Sequence, residues 1–187
     1  MASYTTKLRL RKPAGTDRLS RELDVNDQWR KLSKYFGGVG SIWTEYQPIW
    51  TCITTKPFIG SGKLKGWQLK LGSLCFVQIQ LTAGPDTTFG TGSWRFNVPI
   101  PFDGTGTRAP GPGYAHDFSA SADYGLIAHQ IAGTVTLPED TIIPYTTGAG
   151  GNQAVDATHP FTWGDKDDLV LSLMYKTVPL DFVQARL

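Results

Sequence analysis

The chain has 187 residues, 40% of them hydrophobic and 12% aromatic, enough for one buried core with a small appendage. No apolar run approaches the roughly 18 residues of a membrane span, and the start lacks the apolar stretch of an export signal. The net charge of +2 hides an asymmetry: residues 1–36 hold nine basic against four acidic groups, a net of +5, and residues 37–187 hold nine against twelve, a net of −3. A basic head on an acidic body suits docking to an acidic surface. Nucleic acid is not the expected partner, because the head has one aromatic before its helix, Tyr4, and lacks interleaved stacking residues. Twenty-one Gly and twelve Pro, unperiodic and set between apolar runs, punctuate short strands and do not fill helices.

Residues 4–23 alternate briefly through Leu8 and Leu10 and break at Pro13 and Gly15. Two apolar residues cannot bury a strand alone, so an extended arm is expected, ordered by whatever surface receives it. Its cations Lys7, Arg9, Arg11, Lys12, Arg18 and Arg21 are the candidate docking residues. The alternative is an arm folded back on its own domain. Asp24 then opens the one helix the sequence predicts, with Asp27 near its positive end and Gly37-Gly38 as its stop. Val25, Trp29, Leu32 and Phe36 are spaced four, three and four apart, a narrow coiled-coil seam that needs a partner. Self-association about a three-fold axis and packing on the body are both open. Residues 1–40 are thus read as a docking arm with an oligomerisation helix, and 41–187 as the folded domain.

After the hinge-like GGVGS comes an aromatic-rich segment with Trp43, Tyr46, Pro48 and Trp50, expected as an edge strand because Pro48 cannot donate to a ladder. Three neighbouring strands follow: GKLKGWQLKLGS, LCFVQIQLTA and TTFGTGSWRFNVPIP. In the middle one Cys75, Val77, Ile79 and Leu81 share one side, the period-two pattern of a half-buried strand. Residues 102–113 read as a long loop, residues 114–138 as two or three strands, DTIIPY as a short strand, and residues 146–168 as a second long loop on the same end as other loops. LVLSLMYKTV closes the domain with Leu169, Leu171, Leu173 and Tyr175 on one side. Eight or nine strands point to a mainly β protein, an antiparallel β-sandwich or jelly-roll-like domain.

Catalytic chemistry is not legible. His116 and Asp117 are strand neighbours on opposite faces and form no relay with each other. Asp165, Asp167 and Asp168 lack the spacing and closing Glu of a calcium loop. Asp103, Asp117, Asp123 and Asp140 offer acids without selecting a pair. GTGTRAPGPG lacks the ending of a phosphate loop. Cys52 and Cys75 lie in apolar strand contexts, where a buried thiol is the plain reading, and a bond between them requires adjacent strands. No enzyme, metal or cofactor is expected.

Two stretches carry a resemblance. YTTKLRLRKPAGTDRLSRELDVNDQWRKL resembles the N-terminal segment of bacteriophage tail-appendage and fibre proteins, in which an L-x-L-R-K-P arm with T-D and D-x-N-D leads into a brief helix. The W…Y-x-P-x-W start, the P-x-I-G-x-G-x-L-x-G hairpin and the T-T-F-G-T-G-S-W-x-F-x-x-P run are similar to a β-sandwich of virion proteins from phages of actinobacteria. Together they cover about residues 4–101. The resemblance implies a non-enzymatic virion component, commonly a homotrimer, assembled in the host cytoplasm with its N-terminus towards other virion proteins of the tail or capsid. Basic Arg30, Lys31 and Lys34 stand where that helix usually carries acids, which implies a different attachment surface. Arg108, Tyr114, Asn152 and Gln153 in the two long loops are then the candidates for touching a host surface, glycans included. The alternative is a carbohydrate-binding module using Trp43, Trp50, Trp67 or Trp94, with a glycan-degrading enzyme as a third reading.

Overall fold

The computed structural model describes residues 3–4, 11–12, 43–103, 110–131, 140–147 and 152–177. The chain divides into two compact units, Met1–Ile42 with Lys70–Gly72, and Trp43–Leu69 with Ser73–Leu187. In the first, strands β1 (Ser3–Tyr4) and β2 (Arg11–Lys12) pair antiparallel, Ser3 opposite Lys12 and Tyr4 opposite Arg11. The helix expected from Asp24 to Phe36 lies outside the described residues.

The described residues include no helix, and the remaining strands are β3 (Thr44–Tyr46), β4 (Trp50–Cys52), β5 (Lys63–Leu71), β6 (Leu74–Thr82), β7 (Trp94–Asn97), β8 (Pro110–Asp117), β9 (Ala122–Ile131), β10 (Thr141–Thr146) and β11 (Asp168–Lys176). They form one sheet in the order β3-β5-β6-β11-β8-β9-β10-β7-β4. The mainly β, antiparallel expectation holds, with a single curled sheet supplying both facing walls. Its centre is the β6–β11 pair, whose alternation is the one the sequence shows. Leu81 lies opposite Leu169, Ile79 opposite Leu171, Val77 opposite Leu173 and Cys75 opposite Tyr175, and all eight are buried. Side chains of one face meet directly across an antiparallel pair, so each row packs as a unit.

Two expectations about order need correction. The strand in TTFGTGSWRFNVPIP shrinks to β7, which sits between β10 and β4 and not beside β6. The loop expected over 102–113 ends earlier, because Pro110–Gly113 belongs to β8. A Cβ on Gly111 would lie 2.0 Å from the Ser172 carbonyl oxygen, so glycine is what lets β8 press against β11. β11, the last described strand in chain order as expected, is an inner strand between β6 and β8.

The two edge strands are consecutive in the chain. Every strand runs antiparallel to its neighbour, the Gly72–Ser73 turn fixing β5 against β6. The first and ninth positions therefore point the same way. Only Gln47, Pro48 and Ile49 separate them, a distance of at most about 15 Å. Residues 43–52 are thus one bent strand, its first half on β5 and its second half on β7, and this bend curls the sheet shut. Pro48 is buried at the bend, where a missing N–H costs no ladder bond. Across from it Gly66 makes room: a Cβ there would stand 2.4 Å from Tyr46 Cε1 and 2.7 Å from Pro48 Cγ. The segment with Pro48 is an edge strand, as expected, and it forms both edges.

Alternating directions define two poles. Trp43, the Gly72–Ser73 turn, Asp103, Pro110, Ile131 and Thr177 lie at one, and the segments 53–62, 83–93, 118–121 and 152–167 at the other. The far pole is filled by rings. Trp94 packs on Trp50 and on Trp163, each at 4.7 Å between centroids, Trp163 on Phe161 at 4.5 Å and Phe161 on Tyr124 at 5.0 Å. Residues 152–167 are therefore more than a loop. Val155, Phe161 and Trp163 are core. The Val155 N–H donates to the Pro144 carbonyl and its own carbonyl accepts from the Trp94 N–H, both at 2.9 Å.

Candidate functional site

The bent strand leaves a gap. The β3 ladder stops at Tyr46 opposite Gly66, and the chain then swings away to β7. Lys63 and Leu64, at the start of β5, have β6 on one side and no strand on the other. The Leu64 carbonyl accepts instead from Gln47 Nε2 at 3.2 Å. The result is an open groove of about 580 Å3 between upper β5 and β4, with the 57–62 turn as its third wall. Its apolar lining includes Ile49 and Phe58, which stay 51% and 63% exposed. Lys63 and Lys65 are exposed at its rim, and Lys65 pairs with Glu45 at 3.4 Å.

The third wall is tied down. Phe58 and Thr88 exchange both backbone hydrogen bonds at 2.8 Å. Thr87 Oγ1 donates to the Ile59 carbonyl at 2.6 Å. Gly60 takes a φ of +58°, the left-handed region open to glycine. The Ser61 N–H donates to Asp86 Oδ1 at 2.7 Å and its hydroxyl bonds the same oxygen. These bonds, the hydroxyl's first, hold the Asp86 carboxyl below its ordinary value.

Several of the acids and histidines singled out in the sequence bind turn or hairpin groups, while Asp103 pairs with Lys176 at 2.6 Å and Asp140 Oδ2 accepts from the Phe102 N–H at 2.6 Å. His116 Nδ1 lies 2.8 Å from Asp123 Oδ1 across the β8–β9 hairpin. Asp117 accepts from the Ser119 hydroxyl at 2.7 Å and the Ala120 N–H at 3.0 Å, which lowers its titration in that order of importance. Buried Asp167 accepts from the Phe118 N–H at 2.9 Å and the Gly164 N–H at 2.6 Å, joining two far-pole segments. Partial burial pushes Asp156 up, yet hydrogen bonds from Thr158 and His159 outweigh it and the carboxyl titrates low. Cys52 and Cys75 are not bonded to each other, being on β4 and β6. Burial, reinforced by the Asp156 charge, pushes the Cys52 thiol up to about 11, the wrong direction for a nucleophile. Among the described residues no group of three or more His, Cys, Asp and Glu is placed to hold a metal.

The remaining candidates scatter. Arg11 and Lys12 form β2; Lys7, Arg9, Arg18 and Arg21 lie outside the described residues, as do Val25, Trp29, Leu32, Phe36 and Arg108. Tyr114 is 46% exposed on strand β8, not in a loop, opposite Val170. Asn152 and Gln153 are exposed at the far pole. Segment 152–167 shares the far pole with 53–62, 83–93 and 118–121, as expected of a loop on the same end as others, whereas Asp103 and Pro110, which flank the other long stretch, lie at the opposite pole. Of the four tryptophans considered for sugar stacking, Trp50 and Trp94 are core. Trp43 is 46% exposed, and Trp67 is half-buried on β5 opposite Glu45. The groove itself was missed in sequence. Pro48 inside an otherwise alternating strand was the available signal, because it marks where the ladder must break.

Comparison with known proteins gives one likeness. The chain is similar to the Mu-like prophage FluMu defective tail fiber protein of Haemophilus influenzae, 29% identical over 118 residues, which is 63% of this chain and 18% of that protein. The chain thus spans less than a fifth of that relative's length. No protein-family profile and no solved structure matches.

Proposed function

We propose that the chain is a structural, non-enzymatic part of a phage tail fibre or fibre-like appendage. The observation that carries this reading is the likeness to a prophage tail fibre protein. Asp86, Asp117, Asp156 and Asp167 accept from turn groups, which supports a structural role for them. In this reading residues 1–40 dock through their cations to other virion proteins and join three copies through the Val25, Trp29, Leu32 and Phe36 seam. The body, residues 41–187, stands outward. The outward body is the part that contacts a host envelope. The kinship with phages of actinobacteria rests on the sequence motifs alone. Labelling purified particles with antibody to the body tests the proposal: signal on tail appendages is the expected result, and signal absent from particles overturns it. Light scattering adds the copy number, expected at three times 20.5 kDa.

A host-surface glycan is favoured as the contacted class by Trp43, exposed beside β5 with Trp67 on the same outer row. Binding on a glycan array that is lost in Trp43→Ala is the expected outcome, and no binding to any glycan counts against it.

A further inference from the structure

We infer that the groove between β4 and upper β5 is a strand-accepting site for an extended acidic peptide segment of a partner polypeptide. The first argument is geometric. On the outer side of β5 the ladder ends at Gly66 opposite Tyr46, and no described strand lies beside Lys63–Leu64, the neighbouring strand having departed to β7. An edge of this kind presents backbone donors and acceptors at the spacing of an extended chain. Gln47 shows the edge accepting a stand-in, since its side-chain amide donates to the Leu64 carbonyl. The second argument is lining. Ile49 and Phe58 flank the opening with most of one face in solvent, so alternate side chains of an incoming strand meet apolar surface. The third is charge. Residues 37–187 carry a net of −3, yet Lys63 and Lys65 rim the groove, and Lys56 adjoins its lining residue Pro57. Glu45 answers only Lys65.

Lysines on an edge also discourage pairing with neutral or basic strands, so the same two residues select an acidic partner and repel others. They disfavour this chain's own head, which is net +5. The wall is already built: the 57–62 turn is fixed by Asp86, Thr87 and Thr88, so little ordering is required on binding. The site is independent of any role in a virion.

The test uses the full chain and a labelled heptapeptide of alternating Ile and Glu. Saturable binding by fluorescence anisotropy is expected, with slowed amide exchange confined to residues 49–65. Lys63→Glu with Lys65→Glu, both at exposed positions, is expected to weaken binding tenfold or more and to admit the Ile/Lys counterpart, which the parent chain rejects. Methylating alternate peptide nitrogens removes the edge hydrogen bonds and is expected to abolish binding. The inference is overturned if the acidic peptide does not bind, if protection falls outside 49–65, or if the methylated peptide binds equally well.

Discussion

Gly66, Gly111 and Asp167 each stand where one atom decides the packing. At Gly66 a methyl group would meet the Tyr46 ring and Pro48, both held by the bend of the closing strand. Gly66→Ala is expected to cost about 1–3 kcal/mol, the range for overpacking a filled site, read as a lower midpoint in denaturant. Gly111→Ala meets the β11 backbone itself and is expected at or above the top of that range. Asp167 is different in kind. Its two oxygens satisfy two backbone donors in a buried place, so Asp167→Ala orphans both, at about 1–3 kcal/mol for each unsatisfied group. Asp167→Asn keeps one acceptor and should recover part of the loss. A midpoint for Asp167→Ala equal to the parent's would mean that those bonds are not made in solution.

At the scale of elements, legibility followed period. In β6 and β11 the two-residue alternation assigned every inward side chain, because one face is core and the other is solvent. Residues 152–167 have no such period. Their buried groups, Val155, Phe161 and Trp163, sit among Gly, Asp and Thr that serve turns, and no spacing rule marks an irregular segment that lines a core. The PGPG run likewise reads as loop by composition, although packing against β11 makes it strand. Trp163→Ala tests the weight of the irregular segment. It removes a ring in contact with Trp94, Phe161 and Phe89 and is expected to cost about 3–5 kcal/mol, with loss of near-ultraviolet circular dichroism. A small loss would mean that the segment merely covers the pole.

For the whole molecule, titration gives opposite signs at the two ends of the pH scale. Asp86, Asp117 and Asp156 titrate low in the fold. Their contribution is present above the unfolded carboxylate value of about 3.9 and is lost as pH falls through the folded values. Cys52, Tyr46 and Tyr175 are raised, chiefly by burial. Their contribution is complete below the unfolded thiol and phenol values, about 8.5 and 10, and is lost as pH rises. The thermal midpoint should therefore be flat from about pH 5 to 8 and fall on both sides. Tyr175→Phe should shallow the alkaline fall. It also removes the hydroxyl's 2.9 Å bond to the Ile100 carbonyl, at about 1 kcal/mol near neutrality.

Sheet order was the part that sequence reasoning could not reach. Neighbouring runs were expected to pair in turn, but β7 crosses to the far wall and β11 inserts beside β6. Such choices depend on long-range contacts that no local pattern encodes. The groove followed from that order, since it exists only where one strand changes partners.

That change of partners also has a mechanical side. Tension applied through residue 42 would draw segment 43–52 lengthwise, shearing the β5 and β7 ladders together instead of unzipping either one bond at a time. A tether attached there is gripped by both margins of the sheet at once, a disposition suited to bearing load.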